Sequence, residues 1–84
     1  MKTNDKISEY LAHLECELIA KNDAYGDSLQ NPISVFQKNR LDGVLGRIDD
    51  KLNRIKTVGI NKDTEDTIGD LIGYLVHLKI MLNE

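Results

Sequence analysis

The chain has 84 residues, with 11 lysines and arginines against 14 aspartates and glutamates and a formal net charge of −3. That length implies one domain over residues 1–84, and the acidic balance argues against direct nucleic-acid binding, which asks for a basic surface. The single cysteine, Cys16, excludes an intrachain disulfide and suits a reducing compartment. No apolar run approaches the roughly 18 residues a membrane span needs, and the polar first residues lack a signal core, so a soluble, cytoplasmic protein is expected. A core this small supplies little net stability by itself, and self-association into a homo-oligomer is expected to supply the rest.

A first helix is predicted over residues 5–21, where Ile7, Tyr10, Leu11, Leu14 and Leu18 fall on one helical face. Tyr10 is expected in the core. Glu17 and Lys21 sit at the edge of that face, and His13 points away. Turn formers follow over 22–31: Asn22, Asp23, Gly26, Asp27, Ser28 and Asn31. Asn31-Pro32 then opens a short helix with Ile33, Val35 and Phe36 as its apolar contacts.

The next helix is predicted to begin near residues 41–43 and end near residue 56, on the stripe Leu41, Val44, Leu45, Ile48, Leu52 and Ile55. Arg47, Lys51 and Arg54 form a second, cationic stripe on it. Gly46 inside this helix costs about 1 kcal/mol relative to alanine and suggests close approach by another backbone or a ligand. A loop around Gly59 leads to a last helix over 64–82, with Ile68, Leu71, Ile72, Leu75, Leu78 and Leu82 as its core face. Asp66, Asp70, Tyr74 and His77 make a polar line on it, with Gly69 and Gly73 leaving room beside Asp70. No strand-like alternation appears. The fold class is all-α, a small bundle of three main helices and one short helix.

Charges beside an apolar stripe need partners or a ligand. Asp66 and Asp70 project from one face, and with Glu17 or Asp23 from the first helix they could share magnesium, which takes oxygen ligands and bridges phosphates. Lys21, Arg47, Lys51 and Arg54 suit phosphate contacts, and Tyr25 or Tyr74 suits stacking on a base. The plainer reading is that Arg47, Lys51 and Arg54 only pair with Asp66 and Asp70 across neighbouring helices. His13 and His77 read as surface or satisfied histidines, and Cys16 as inert. Spacing alone leaves the two readings open.

The strings KNDAYGDS (21–28), RIDDKLNRI (47–55) and EDTIGDLIGYL (65–75), in that order, resemble small phage and bacterial MazG-like proteins of the nucleotide-modification-associated type. Lys21, Asp23, Tyr25 and Gly26 match the first block, Arg47, Asp50, Lys51 and Arg54 the second, and Glu65, Asp66, Asp70 and Tyr74 the third. The resemblance implies an all-α nucleoside triphosphate pyrophosphohydrolase fold, usually oligomeric, that cleaves a nucleoside triphosphate to monophosphate and pyrophosphate with magnesium. Carried over, Glu17, Asp66 and Asp70 are the implied catalytic metal ligands. Lys21, Asp23, Tyr25, Arg47, Lys51, Arg54 and Tyr74 are the implied substrate contacts. The full family signature Glu-Glu-x-x-Glu on the early helix is thinned here to Glu15 and Glu17, separated by Cys16. The alternative is therefore a non-catalytic protein that sequesters a nucleotide or a nucleotide-derived defence signal. A third reading is a structural interaction module.

Overall fold

A computed structural model describes residues 2–33 and 39–84, and the short helix expected after Pro32 falls largely outside them. The described residues form three α-helices and one turn of 3-10 helix, with no strand. Helix α1 spans Thr3–Ala24, α2 spans Arg40–Val58 and α3 spans Glu65–Leu82, with the 3-10 turn at Lys62–Thr64. The all-α expectation holds, and α2 and α3 lie close to their predicted ranges.

Local chemistry sets the boundaries. Helix α1 ends in a double-bonded left-handed cap: the Asp27 amide donates to the Asn22 carbonyl at 3.0 Å and the Gly26 amide to the Asp23 carbonyl at 3.2 Å. Gly26 and Asp27 both have positive φ, 63° and 58°. Glycine adopts that conformation freely. Asp27 is held there by its side chain, which accepts from Asn22 Nδ2 at 3.1 Å and from Asn31 Nδ2 at 2.6 Å. Helix α2 opens on Asn39, whose side-chain oxygen accepts from the Asp42 amide at 2.8 Å, and closes at Gly59 with φ 91°. Asn61 and Thr64 then form a reciprocal capping box that starts the last turn-and-helix segment.

Helices α2 and α3 pack antiparallel. The direction follows from three pairs whose partner number rises as the α2 number falls: Arg54 to Thr67, Lys51 to Asp70 and Arg40 to Glu84. Val44 and Thr67 are buried in this pair, at 1% and 3% exposure, and Thr64 of the 3-10 turn is fully buried beside it. The Arg54 Nε–H donates to Thr67 Oγ1 at 3.1 Å, so the buried hydroxyl is satisfied.

Helix α1 meets this pair through its C-terminal half, where Leu18 crosses α3 at Gly73 and Lys21 reaches Asp70. A Cβ on Gly73 would lie 2.7 Å from Leu18 Cδ2, so the absent side chain is what lets the helices approach. Gly46, expected to mark a close approach, has open space beside it, as does Gly69. Tyr10, expected in the core, is 66% exposed, and Ile7 and Leu11 are exposed with it; Leu41, Leu45 and Leu52 of the α2 stripe and Ile68, Leu75 and Leu82 of the expected α3 core face are exposed too, because no third element covers them among the described residues. On α1 the cause is the crossing point: Ile7, Tyr10 and Leu11 lie more than a turn before Leu18, and no described element covers them. None of the helices is long and apolar enough to cross a membrane among the described residues.

Candidate functional site

Three elements and the turn after α1 enclose an open cavity of about 380 Å³, within the range of small-ligand sites. Helix α1 contributes Leu18, Lys21 and Asn22, and the turn contributes Tyr25, Ser28 and Leu29. Arg47 and Lys51 enter from α2, one helical turn apart. Asp70, Gly73, Tyr74 and His77 enter from α3. The polar line read from the sequence of α3 therefore faces the cavity from Asp70 onward.

Asp70 is the carboxylate of the cavity, and two lysines from two helices hold it. Lys21 Nζ donates to Asp70 Oδ1 at 3.1 Å, and Lys51 Nζ lies 3.2 Å from Oδ2. Burial pulls the Asp70 carboxyl upward, but the hydrogen bonds and charges of Lys21 and Lys51 outweigh it and hold the group below its usual range. The same hydrogen bond raises the Lys21 ammonium above its ordinary value, against the opposing effect of burial. The ion-pair reading of the charges thus applies to Lys21, Lys51 and Asp70.

Arg47 differs. It lines the cavity and has no carboxylate or hydrogen-bond partner among the described residues. The cavity therefore carries three fixed cations against one carboxylate, inside a chain whose net charge is −3. An arginine with free N–H groups in a concave site is suited to a bidentate oxyanion. Tyr25 and Tyr74 place two aromatic rings on the same cavity.

The other expected site residues lie elsewhere. Glu17 is exposed on α1 and its Oε1 sits 3.0 Å from His13 Nε2, an i, i+4 pair. Asp23 is exposed, and Asp66 is exposed in the first turn of α3. Arg54 is spent on Thr67 in the α2–α3 contact. Among the described residues no three histidine, cysteine, aspartate or glutamate side chains converge as a metal cradle. Within one chain the donor set does not suit magnesium, because the cavity's carboxylate already faces two ammonium groups and a divalent ion would have to displace both.

Periodicity put His77 on the polar line of α3 but gave no sign of its partner Gln30. Gln30 Nε2 lies 2.9 Å from His77 Nδ1 and donates to the His77 carbonyl at 3.2 Å. Burial lowers the imidazole below its ordinary value, against an upward pull from Asp27. The i, i+11 spacing from Asp66 placed His77 on the correct face, but no signal tied it to a glutamine 47 residues away.

No family model, no curated protein and no solved structure matches this chain.

Proposed function

We propose that this chain binds a nucleotide, with phosphate oxygens against Arg47 and the Lys21–Lys51 pair and the base against Tyr25 or Tyr74. The observation that supports it most is the excess of cations in the cavity, with Arg47 unpaired among the described residues. Lys21 and Lys51 share one carboxylate and Arg47 has none among the described residues, so a surplus of like charge is left to repel at this concave site. An anionic ligand removes that repulsion. The order of the three sequence blocks that resemble MazG-like proteins points to the same ligand class. Capture of a nucleotide or nucleotide-derived signal fits this cavity better than hydrolysis, because binding needs cations and stacking surfaces and not a carboxylate-held metal.

Magnesium-dependent hydrolysis to monophosphate and pyrophosphate is the second reading. One observation favours it: Asp66 lies one turn before Asp70 on α3, so carboxylates brought by a second copy would meet an acidic partner there. Assembly itself has support in the apolar surface left uncovered, including Ile7 and Leu11 on α1 and Leu75 and Ile80 on α3. We place such a homo-oligomer in the cytoplasm, where the exposed Cys16 thiol stays reduced.

Calorimetry with a panel of nucleoside triphosphates, in magnesium and then in chelator, separates these readings. Sequestration requires binding that survives the chelator and falls about tenfold or more in Arg47→Ala, the loss of a charge-assisted hydrogen bond. Binding that vanishes with the metal, together with pyrophosphate release, would establish hydrolysis instead. Silence with every nucleotide would remove both.

A further inference from the structure

A chain of four polar side chains fixes the state of His77. Arg40 Nη2 donates to Glu84 Oε2 at 2.6 Å, and Arg40 Nη1 donates to Gln30 Oε1 at 2.8 Å. A guanidinium can only donate, so the Gln30 oxygen must face it. The amide nitrogen of Gln30 then faces His77, where it meets the backbone carbonyl and Nδ1 together. An amide NH₂ only donates, so Nδ1 must accept. A neutral imidazole that accepts at Nδ1 carries its proton at Nε2.

We propose that Arg40 and Gln30 hold His77 as the neutral Nε2–H tautomer, which offers the cavity an uncharged hydrogen-bond donor for an acceptor atom on the nucleoside part of the ligand. The placement of that atom rests on the nucleotide reading above; the tautomer does not. His77 lies seven residues after Asp70, about 10 Å along the helix axis. His77 is therefore set about two turns away from the Lys21–Asp70–Lys51 cluster, with Arg47 entering from α2 between them. A ligand whose phosphates sit on Lys21, Lys51 and Arg47 presents its nucleoside part to His77.

Protonation of His77 is resisted by the same chain. An N–H at Nδ1 would face the Gln30 NH₂, donor against donor. Turning the amide over would point its NH₂ at Arg40 and repeat the conflict. The charged groups on the elements packed here are Asp27 from the turn, Arg40, Arg47 and Lys51 from α2, Asp70 from α3, Glu84 beyond it and Lys21 from α1, and Asp27 pulls the imidazole towards the charged form. Gln30 and Arg40 are thus positioning residues, acting on the ligand through His77.

Long-range nitrogen–proton correlation NMR of histidine-labelled protein tests the tautomer without any ligand. The chain has two histidines, and His77→Gln identifies the signal. The expected spectrum shows an unprotonated Nδ1 and a protonated Nε2. In Gln30→Glu a carboxylate oxygen faces Nδ1, so the midpoint of titration rises and the neutral proton moves to Nδ1. A wild-type spectrum with the Nδ1–H form dominant, or with the tautomers mixed as in free histidine, overturns the proposal; so does a Gln30→Glu spectrum unchanged from wild type.

A second arm uses ATP and inorganic tripolyphosphate as probes. His77→Phe should weaken ATP about tenfold and leave tripolyphosphate unchanged, and His77→Gln, which keeps an N–H, should recover most of the loss. An equal loss for both probes overturns the placement of His77 at the nucleoside end. If wild type binds neither probe, the nucleotide reading fails, and the NMR result alone decides the tautomer.

Discussion

The α2–α3 pair and helix α1 each carry an apolar stripe, and the two stripes meet different fates. Between α2 and α3, Val44 is sealed, Thr64 and Thr67 are buried, and polar contacts run from Arg54 at one end to Arg40 at the other. Helix α1 has no buried residue. It is attached where Leu18 crosses Gly73 and Lys21 meets Asp70, and Ile7, Tyr10 and Leu11 stand in solvent. The lesson is that the same periodicity encodes a helix in both cases, but a facing partner buries only the positions it reaches: Val44 is sealed, while Leu41, Leu45, Leu52, Ile68 and Leu75 on the same two helices stay exposed. The cavity sits at the seam, lined by the α2–α3 pair on one side and a lightly attached helix on the other.

Breaking the tight half has the largest expected effect. Val44→Asp places a charge where 1% of the residue is exposed, costs several kcal/mol and should abolish the cooperative thermal transition followed by circular dichroism. Leu11→Asp, the matched change on α1, should leave that transition of the monomer within about 0.5 kcal/mol, as for surface substitutions. It should lower the mass seen by light scattering if copies associate through α1. Equal damage from both would erase the contrast.

The seam itself gives an intermediate effect. Gly73→Ala sets a methyl group 2.7 Å from Leu18 Cδ2, and the overpacking, about 1–3 kcal/mol, outweighs or cancels the gain of about 1 kcal/mol that alanine brings inside a helix. Lys21 moves away from Asp70 as α1 lifts. Adding Leu18→Ala should return part of that stability, a coupling visible in a double-mutant cycle by urea denaturation. Strict additivity of the two changes would mean that α1 does not cross there.

Asp70 gives the smallest effect and the sharpest discrimination. Its carboxyl is held below the usual value in the folded chain, so its contribution is present above the unfolded value and is lost as pH falls through the folded one, in the acid range below about 4. Lys21 has the opposite sign: its contribution is present below its ordinary value and fades as alkaline pH rises through the raised one. Asp70→Asn should lower stability at neutral pH by no more than about 1 kcal/mol, since the lysines are partly solvated. It should also flatten the acid limb of the stability curve. In chelator it should retain or strengthen nucleotide binding, because the cavity becomes more cationic. Wild-type binding seen only in magnesium and abolished there by Asp70→Asn would show instead that Asp70 holds a metal.

The helices were legible because each has its own stripe and punctuation. Gly26 and Asp27 stood among the turn formers, although α1 runs on to Ala24, past its predicted end at residue 21, because Asn22 and Asp23 still fit the helix; α2 and α3 start within about one residue of their predicted ranges. Helical spacing also sent Lys21, Arg47, Lys51, Asp70, Tyr74 and Tyr25 to one cavity, because spacing and turn position fix a residue's face. Glu17, Asp23, Asp66 and Arg54 fell outside it because the crossing point, set by Gly73, decides which turns of a face meet. Gln30 and Arg40 left no trace in the sequence. A single tertiary hydrogen bond has no period, and neither residue repeats with anything.

One carboxylate shared by two ammonium groups has a consequence for ionic strength. However the charges are assigned, one lysine's worth of field around Asp70 stays unbalanced, and Arg47 adds to it. Chloride or phosphate from the buffer will gather at that surplus. As salt rises, the grip on α1 and the attraction for an incoming anion will therefore fade in step, screened by the same ions.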